Sequence, residues 1–401
     1  MYCPNQNLAR KIVAKYGTPV FVTSKQYLES QVSTLKNAAP KNTKVFYAIK
    51  ANYNPHIVKA LKNAGLDGID AVSPFEIEIA KKCGFTKSQI LFTGNNSDDN
   101  ELQDVLSHSV TQNIGSISEL ERLGKIQNNI NVSIRFNPDI GAGETKQVVT
   151  GGSKSKFGIN KKELPLVKEI TSKYNLNVIG VHCHIGSGFY KTRVFRKAVR
   201  AILSIASNFK HLKFVDLGGG FGVRYDIESQ SIDIKDFFSS IRSDLENFAK
   251  TNGNEFDVIV EPGKFLVAES TCLLTKVTNI KENGGTIFIG TDTGMNHIIR
   301  PALYSAHHEI INITSPDAEI KKVTVVGNIC ESSDILRKKI KMPMPKEGDI
   351  LAILTAGAYC ASMSSLYNLR PYATEVLADH DKVKRIRKRL NFKETLNGLG
   401  F

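Results

Sequence analysis

From about residue 24 the chain alternates short β-prone segments with longer segments of helical periodicity, and this alternation constrains its fold most strongly. The strand candidates are residues 44–48, 68–72, 89–93, 110–114, 132–136, 178–182, 214–217 and 257–261. Helical patterns between them include residues 54–65, 74–84, 116–125 and 192–209. Ser116, with Glu119 three residues later, is typical of a helix start. An α/β fold of the (β/α)8 TIM-barrel type is predicted, with a doubly wound sheet as the structural alternative.

The chain has 401 residues, too many for one ordinary domain, and its texture changes after residue 261. Residues 277–292, 321–332 and 348–359 look like strands joined by turns, and residues 18–24 add one strand near the start. We therefore predict that residues 24–265 form the barrel. Residues 266–401, together with 1–23, are predicted to form a mostly β domain. The loop at residues 139–160 is rich in Gly, Lys and Ser and long for a barrel, which is typical of a lid.

Charge and composition argue against several classes of protein. The net charge is +14, but the basic residues are scattered except at 382–389, and no nucleic-acid-binding motif accompanies that run. Val383, Ile386 and Leu390 have helical spacing, so we expect a terminal amphipathic helix there rather than a nucleic-acid interface. No apolar stretch approaches the ~18–20 residues that span a bilayer, and residues 1–17 lack the apolar core of a secretory signal.

The cysteines bear on the compartment and on metals. None of the six forms a C-x-x-C pair, which favours free thiols in a reducing, cytoplasmic compartment over a disulfide or zinc framework. We therefore predict no metal site and no membrane or nucleic-acid partner.

Four chemically distinctive features follow strand candidates. Lys50 ends one strand-like segment and Glu261 ends another, with His-Cys-His-Ile-Gly-Ser at 182–187 and Gly-Gly-Gly-Phe-Gly at 218–222 between them. Each has an ordinary interpretation on its own, as an exposed lysine or a simple turn. Together they offer an amine for an aldehyde, a carboxylate for a ring nitrogen, N–H groups for a phosphate and a histidine to stack on a ring. Because barrel active sites lie at carboxyl strand ends, they predict a pyridoxal 5'-phosphate site.

The complete set of motifs, in this order, resembles the diaminopimelate decarboxylases, which belong to the alanine-racemase-like, fold-type III pyridoxal-phosphate enzymes. The resemblance covers nearly the whole chain. It rests on YAIKAN (47–52), GIDAVSPFEIE (68–78), TGGSKSKFGI (150–159), VHCHIGSG (181–188), DLGGGFG (216–222), EPGKFLVAES (261–270), GMNHIIRPALYSAHH (294–308), CESSD (330–334) and GAYCASMSSLYN (357–368). CESSD, RPALY and the last motif separate the chain from alanine racemases and from single-domain pyridoxal-phosphate proteins.

The resemblance implies roles residue by residue. Lys50 matches the lysine that condenses with the cofactor, His184 the histidine that stacks on its ring, and Cys330 the active-site cysteine. The cofactor-binding residues that it implies are Lys50, His184, Ser187, Gly218, Gly219, Gly220, Glu261, Gly263, Lys264 and Tyr359. The substrate-binding residues that it implies are Lys264, Arg300, Tyr304, Glu331 and Tyr359. In this family Cys330 and Glu331 would reach across a homodimer interface, so the resemblance implies active sites shared between subunits.

Ordinary interpretations of two of these residues stay open on the sequence alone. Without the resemblance, Cys330 would be read as a buried inert thiol. Arg300 precedes a proline in HIIRPALY, a position that suits an interdomain salt bridge as well as the binding of a substrate carboxylate.

The implied activity is decarboxylation of meso-2,6-diaminopimelate to L-lysine and CO₂, the last step of lysine biosynthesis. Lys264 departs from the family, which has arginine there, and this loss of a bidentate fork keeps open a decarboxylase of ornithine, arginine or D-lysine. Residues 371–377 also depart from the family's pattern. A catalytically dead homologue that regulates a partner enzyme would be expected to lose Lys50 or Cys330, and both are present.

Overall fold

The computed structural model describes residues 1–141, 143–144, 150–152, 154–252, 255–398 and 400. The helices are α1 (Gln6–Tyr16), α2 (Lys25–Ala38), α3 (Pro55–Asn63), α4 (Pro74–Lys82), α5 (Asp99–Ser107), α6 (Ile117–Ile126), α7 (Leu164–Lys173), α8 (Thr192–Ala206), α9 (Ile234–Asn252), α10 (Lys264–Val267), α11 (Arg300–Tyr304) and α12 (Phe392–Asn397). The strands are β1 (Val20–Ser24), β2 (Thr43–Ala48), β3 (Gly68–Ala71), β4 (Ile90–Phe92), β5 (Thr111–Ile114), β6 (Asn131–Asn137), β7 (Ile159–Asn160), β8 (Asn177–His182), β9 (Phe214–Asp216), β10 (Asp257–Val260), β11 (Thr271–Asn283), β12 (Thr286–Thr291), β13 (Ile310–Asn312), β14 (Ile320–Val326), β15 (Ile335–Pro343), β16 (Ile350–Ile353), β17 (Thr374–Asp379) and β18 (Lys382–Arg387).

The first sheet is a closed parallel barrel. Its strands follow the order β5-β4-β3-β2-β10-β9-β8-β6, and β5 also pairs with β6, which closes the ring. Parallel neighbours need long crossover connections, and helices α3 to α9 supply most of them. The predicted TIM-type barrel is confirmed, and each of the eight strand candidates corresponds to a barrel strand within about two residues at either end.

The barrel interior is apolar at one level. Phe46, Leu91, Ile179, Phe214 and Ile259 come from five different strands and form one buried cluster. Side chains two residues apart on a strand share a face. The positions two residues further along these strands therefore face the same way and lie nearer to the carboxyl end of the barrel.

The second sheet is mixed and belongs to the mostly β part of the chain. Its main path is β15-β14-β12-β11-β1-β17-β18, and β16 pairs with both β11 and β13. The central strands are buried on both faces. Phe21 and Leu273 contribute to one hydrophobic cluster, whereas Val22 and Leu274 contribute to another that includes Ile12 of α1. This burial on both faces explains why three consecutive residues of β1, Val20 to Val22, are all apolar.

The chain divides into two compact units. One contains residues 31–223 and 231–265 and carries the barrel, and the other contains residues 1–30, 224–230 and 266–401 and carries the mixed sheet. The changeover lies inside α2 and differs by a few residues from the predicted boundary at residue 24. Residues 224–230 leave the barrel unit and belong to the mixed-sheet unit, an excursion of the chain that the sequence did not predict. Among the described residues, no helix combines the length and apolarity required to cross a membrane.

One prediction of local structure is wrong. Residues 382–387 form β18, which pairs antiparallel with β17, and not an amphipathic helix. Val383 packs against the hydrophobic cluster around β1, so tertiary pairing overrides the helical spacing seen in the sequence. The predicted lid at residues 139–160 includes residues 142, 145–149 and 153, which lie outside the described residues.

Candidate active site

A ring of polar side chains lies at the carboxyl end of the barrel. Two residues beyond the apolar Leu91, Phe214 and Ile259 stand Thr93, Asp216 and Glu261. Because the strands are parallel, all of these carboxyl ends meet at the same mouth of the barrel, where active sites of this fold are built. Along each of these strands, the inward-facing side chain is apolar inside the barrel and polar two residues later, at the carboxyl end.

Lys50 enters this layer from the end of β2. The strand ends at Ala48, and a short 3₁₀ turn, Ile49–Ala51, follows it with both flanking residues buried. The side chain of Lys50 is 41% exposed, and its Nζ lies 3.5 Å from Oδ2 of the buried Asp70 on β3. The turn therefore presents the lysine amine to the mouth of the barrel, while the buried side chains of Ile49 and Ala51 anchor the backbone on either side of it.

Glu261 follows β10 and is buried beside two other ionisable groups. Its Oε2 lies 3.3 Å from Nε2 of His182, at the end of β8. Ligand-type atoms of His182, Asp216 and Glu261 all lie within 4.8 Å of one another. On the far edge of the imidazole, Nδ1 lies 2.7 Å from Nδ2 of Asn113, which donates to it. His182 therefore carries its proton on Nε2, facing Glu261.

The carboxyls in this layer have opposite pKa shifts. Burial would raise the pKa of Glu261, but His182, the Asp216 carboxyl and the Lys50 charge outweigh it and hold that pKa below its usual range. Burial, reinforced by the Glu261 charge, raises the pKa of Asp216 well above its usual value. The same two causes raise the pKa of Asp70 to about 7. The ionised carboxylate of the cluster is thus Glu261, whereas its surroundings favour the protonated form of Asp216.

His184 is fixed by the glycine-rich turn. Its Nδ1 accepts a hydrogen bond of 3.1 Å from the backbone N–H of Gly219. Burial and the nearby charges of Arg135 and Lys50 lower the pKa of His184 well below its usual value. The ring is therefore a neutral, flat surface held along one edge, which suits stacking against an aromatic ligand.

The turn at Gly218–Gly220 requires glycine. A Cβ at Gly219 would lie 1.9 Å from the carbonyl oxygen of Glu261, and one at Gly220 would lie 2.0 Å from that of Gly186. Gly218 also has a φ of +69°. The N–H of Gly218 donates to Asp216 Oδ1 at 2.8 Å, so the turn is hydrogen-bonded to the acid cluster as well as to His184.

Lys264 begins α10, three residues after Glu261, and forms an ion pair with Glu144. Lys264 Nζ lies 2.6 Å from Glu144 Oε1, with the two side chains only 4% and 18% exposed. The backbone N–H of Glu144 donates to the carbonyl of Ser187 at 2.9 Å, and a Cβ at Gly188 would collide with the Glu144 side chain. Glu144 therefore links the buried Lys264 cation to the backbone of Ser187, a residue expected on the phosphate side.

These features fit pyridoxal phosphate. Glu261 Oε1 is a buried acceptor with no hydrogen-bond partner in the part of the chain that the structure describes, which suits a protonated ring nitrogen. Lys264 supplies a buried positive charge for a phosphate, and a side chain at any residue of the glycine turn would clash with nearby backbone. Lys50 supplies the amine.

The remaining candidates lie in the mixed-sheet unit. Arg300 begins α11 and is buried, Tyr304 ends that helix, and Tyr359 has a φ of 56° after β16. Cys330 and Glu331 are exposed. The interpretation of Cys330 as a buried inert thiol is therefore wrong.

The loop that carries Cys330 is held by Asp334. Its Oδ2 accepts from the N–H of Ile329 at 2.8 Å, and its Oδ1 accepts from the N–H of Met295 at 2.6 Å. The backbone N–H of Cys330 itself donates to Oδ1 of Asn368 at 2.8 Å. A buried acid at one end and an amide at the other thus present the thiol and Glu331 on a defined turn.

Sequence reasoning missed several members of the barrel layer: Asp70, Asn113, Arg135, His182 and Asp216. A signal was available, because each is a polar residue in or at the end of a strand candidate and, for Asp216, two positions after an apolar inward-facing one. That signal identifies a layer of polar groups but not which of them touch one another.

Comparisons with known proteins identify the family to which the chain belongs. Residues 25–268 match the family model of the pyridoxal-dependent decarboxylase, pyridoxal binding domain. The diaminopimelate decarboxylase of Methanothermobacter thermautotrophicus is 38% identical over 97% of this chain and 93% of its own length. That of Escherichia coli is 32% identical over 98% and 96%.

A solved structure extends the likeness to three dimensions. The crystal structure of diaminopimelate decarboxylase from Helicobacter pylori complexed with L-lysine is 33% identical and has a TM-score of 0.90, covering 98% of this chain and all 100% of that one. The similarity in sequence and the similarity in fold both extend over nearly the full length of the two proteins. The chain therefore belongs to the diaminopimelate decarboxylase family of pyridoxal-dependent decarboxylases.

Proposed function

We propose that this chain uses pyridoxal phosphate to decarboxylate meso-2,6-diaminopimelate to L-lysine and CO₂. The observation that carries the proposal is the combination, at one mouth of the barrel, of the Lys50 amine with the buried and ionised Glu261. The relatives named diaminopimelate decarboxylase, and the Helicobacter pylori structure complexed with L-lysine, support this choice of substrate and product.

The barrel residues would hold and activate the cofactor. When bound, pyridoxal phosphate supplies an electron sink for the charge left on the α-carbon as CO₂ departs. Glu261 would hold the proton on the ring nitrogen, because its own pKa is kept low. Lys50 would hold the aldehyde end of the cofactor through its amine. His184 supports the face of the ring.

The phosphate end would be held by a second group of residues. Lys264 supplies the charge, and the other contacts proposed for the phosphate and ring are Ser187, Gly218, Gly219, Gly220, Gly263 and Tyr359. Lys264 is a point charge without the fork of the usual arginine, so it neutralises the phosphate without bidentate geometry. Its present partner, Glu144, would have to share it with the incoming anion.

The mixed-sheet unit would supply the substrate end. Arg300 binds the distal carboxylate, Glu331 accepts from the distal ammonium, and Tyr304, Tyr359 and Lys264 complete the contacts. Cys330 donates the proton that replaces CO₂ on the α-carbon. The exposure of Cys330 and Glu331 supports this assignment, since a buried thiol could not reach a substrate.

We further propose a homodimer in which Cys330 and Glu331 complete the active site of the partner subunit. Both lie on an exposed turn that Asp334 holds in place. Exposure on an ordered turn is expected of residues that contact a partner subunit. A reducing, cytoplasmic location is also proposed, because all six cysteines are free and one of them is exposed.

A substrate panel tests the function. Purified protein loaded with pyridoxal phosphate would be incubated with meso-diaminopimelate, D-lysine, L-lysine, L-ornithine and L-arginine, and the products identified by mass spectrometry. We expect the highest kcat/KM for meso-diaminopimelate, with equal amounts of L-lysine and CO₂. Lys50→Ala is the inactive control, and borohydride reduction followed by peptide mapping should place the cofactor on Lys50. Faster turnover of ornithine, arginine or D-lysine would contradict the proposal.

A further inference from the structure

Arg300 lies in an unusual environment within the mixed-sheet unit. It is only 2% exposed. Its guanidinium carbon lies 4.4 Å from the centre of the Tyr225 ring, and its Nη1 lies 3.0 Å from Nε2 of His308. Three separate segments therefore meet here, namely the excursion at residues 224–230, the start of α11 and the residues before β13.

The hydrogen bonds of His308 define its tautomer. Nδ1 of His308 lies 3.0 Å from the carbonyl oxygen of Leu354. A carbonyl oxygen can only accept, so Nδ1 carries the proton and Nε2 keeps its lone pair. The imidazole therefore accepts from Nη1 of Arg300 as a neutral ring. Burial, followed by the charge of Arg300, lowers the pKa of His308 well below its usual value, which keeps the ring neutral.

A neutral acceptor holds an arginine differently from a carboxylate. It fixes the direction of one N–H bond while adding no negative charge of its own. The Tyr225 ring likewise attracts the guanidinium without adding a negative charge, because a cation is attracted to an aromatic face without being neutralised. The rings of Tyr225 and His308 are themselves in edge contact, with centroids 5.2 Å apart and planes at 77°.

We propose that His308, together with Tyr225, is a positioning residue that aims Arg300 at the ligand carboxylate remote from the reacting carbon. This inference rests on the proposed function, in which Arg300 binds that carboxylate. His308 is not among the residues proposed to contact the cofactor or the reacting atoms. Its effect is on which ligands bind, and it acts through the guanidinium.

Two ligands isolate the carboxylate contact. L-lysine, the proposed product, keeps the distal carboxylate, and cadaverine is the same diamine without it. The ratio of the dissociation constant of cadaverine to that of L-lysine, measured by spectral titration of the holoenzyme, therefore reports how strongly Arg300 binds a carboxylate. Turnover of meso-diaminopimelate by the wild type is measured separately, so that failure of the proposed function is recognised independently.

The substitutions are chosen to separate hydrogen bonding from shape. His308→Phe keeps a flat ring but removes the acceptor, and we expect L-lysine to bind at least about tenfold more weakly, with cadaverine changed by less than about twofold. His308→Gln offers an amide oxygen to Nη1 and should recover most of the loss. His307→Phe, the same change at the neighbouring half-buried histidine, is the matched control and should leave the ratio unchanged.

The outcomes distinguish the possibilities. Equal weakening of both ligands by His308→Phe would show a general structural role, and two unchanged dissociation constants in that variant would show no role. Either result overturns the inference while leaving the decarboxylase function intact. A wild type that binds both ligands equally would overturn the role of Arg300 and the inference with it. If His308→Phe does not fold, Tyr225→Leu carries the test, with the same selective loss for L-lysine expected.

Discussion

At the scale of single residues, the mouth of the barrel moves the pKa values of neighbouring acids in opposite directions. Although burial opposes it, His182, Asp216 and Lys50 hold the pKa of Glu261 below its usual range, whereas burial and the Glu261 charge raise the pKa of Asp216. Groups whose environments move their pKa values apart are typical of acid–base sites. The arrangement suits the role proposed for Glu261, that of an anion facing the ring nitrogen of the cofactor.

The raised pKa of Asp70 makes the stability of the cofactor-free protein depend on pH. Burial first, and then the Glu261 charge, raise that pKa from 3.8 to about 7. The folded state therefore holds this proton more tightly than the unfolded state, and the stability it contributes is lost as pH rises from about 4 through about 7. Asp70→Asn cannot lose a proton, so the variant should gain stability relative to wild type by on the order of a few kcal/mol over that interval.

The measurement is urea unfolding of both apoproteins at pH 4.5, 6 and 8. The comparison at pH 4.5 is the internal control, because wild-type Asp70 is then protonated and resembles the amide. A difference in free energy of unfolding that stays constant across the three pH values would contradict the assignment.

Substitutions of Lys264 test how much a point charge contributes to the proposed binding of the cofactor phosphate. Its 2.6 Å contact with Glu144 shows that the ammonium already holds a carboxylate. Lys264→Ala should weaken pyridoxal phosphate binding by about 10- to 100-fold, the equivalent of a charged hydrogen bond of ~1.5–3 kcal/mol. Lys264→Arg keeps the charge and should alter affinity modestly and leave the order of substrates unchanged.

Pyridoxal, which lacks the phosphate, is the control ligand, and its affinity should barely respond to Lys264→Ala. Both affinities are read from absorbance titrations of the apoprotein. If the native protein prefers D-lysine or ornithine, and Lys264→Arg reverses that preference, residue 264 determines specificity and the functional proposal is wrong.

At the scale of elements, two barrel helices begin with the same device. Ser73 and Ser116 accept from the N–H three residues later, at 3.3 and 3.1 Å. Glu76 and Glu119 in turn accept from the backbone N–H just before each serine, at 2.8 and 3.1 Å. Both helices follow strands whose carboxyl ends form the candidate site, so the caps fix where those strands stop.

Removing either cap should destabilise the barrel. We expect Ser73→Ala and Ser116→Ala each to lower the free energy of unfolding by about 1 kcal/mol, because a helix N–H loses its acceptor. Ser107→Ala, near the exposed end of α5, is the control and should change stability by less than about 0.5 kcal/mol. Chemical denaturation of the three variants gives the comparison, and equal losses at all three positions would argue against the caps.

The strand β18 shows why one element was misread. Its sequence has apolar residues at helical spacing within a basic run, which predicted a helix. It lies at the end of the sheet path, paired only with β17 within the described residues, and its lysines and arginines suit an edge strand because charge discourages pairing with another molecule. Pairing with β17 is a long-range choice that a six-residue pattern does not reveal.

At the scale of the whole molecule, the proposed sharing of active sites between subunits predicts complementation between inactive variants. Lys50 belongs to the barrel unit and Cys330 to the mixed-sheet unit. In a mixture of Lys50→Ala and Cys330→Ala subunits, a hybrid dimer would contain one site with both residues intact. Activity should therefore recover to a fraction of wild type after subunit exchange, up to about a quarter for a random mixture with half hybrids.

Subunit exchange is verified with differently tagged chains, and each variant alone provides the baseline. The double variant Lys50→Ala/Cys330→Ala mixed with wild type is the matched control, because its hybrids contain no complemented site. Proven exchange without any recovery would mean that each site is built from one subunit.

The sequence by itself determined the features that are local. Strand positions, helix starts and contiguous motifs such as those around Lys50 and Glu261 depend on neighbouring residues, so the barrel, the mostly β region that follows it and the family were predicted correctly. Only the tertiary structure decided which residues from different strands touch: His182 with Glu261, Lys264 with Glu144, and Tyr225 and His308 with Arg300. These contacts join residues far apart in the chain, and they form because closing the barrel and pairing the sheet bring those residues together. The pKa shifts have the same origin, since burial and neighbouring charges exist only once the chain has folded.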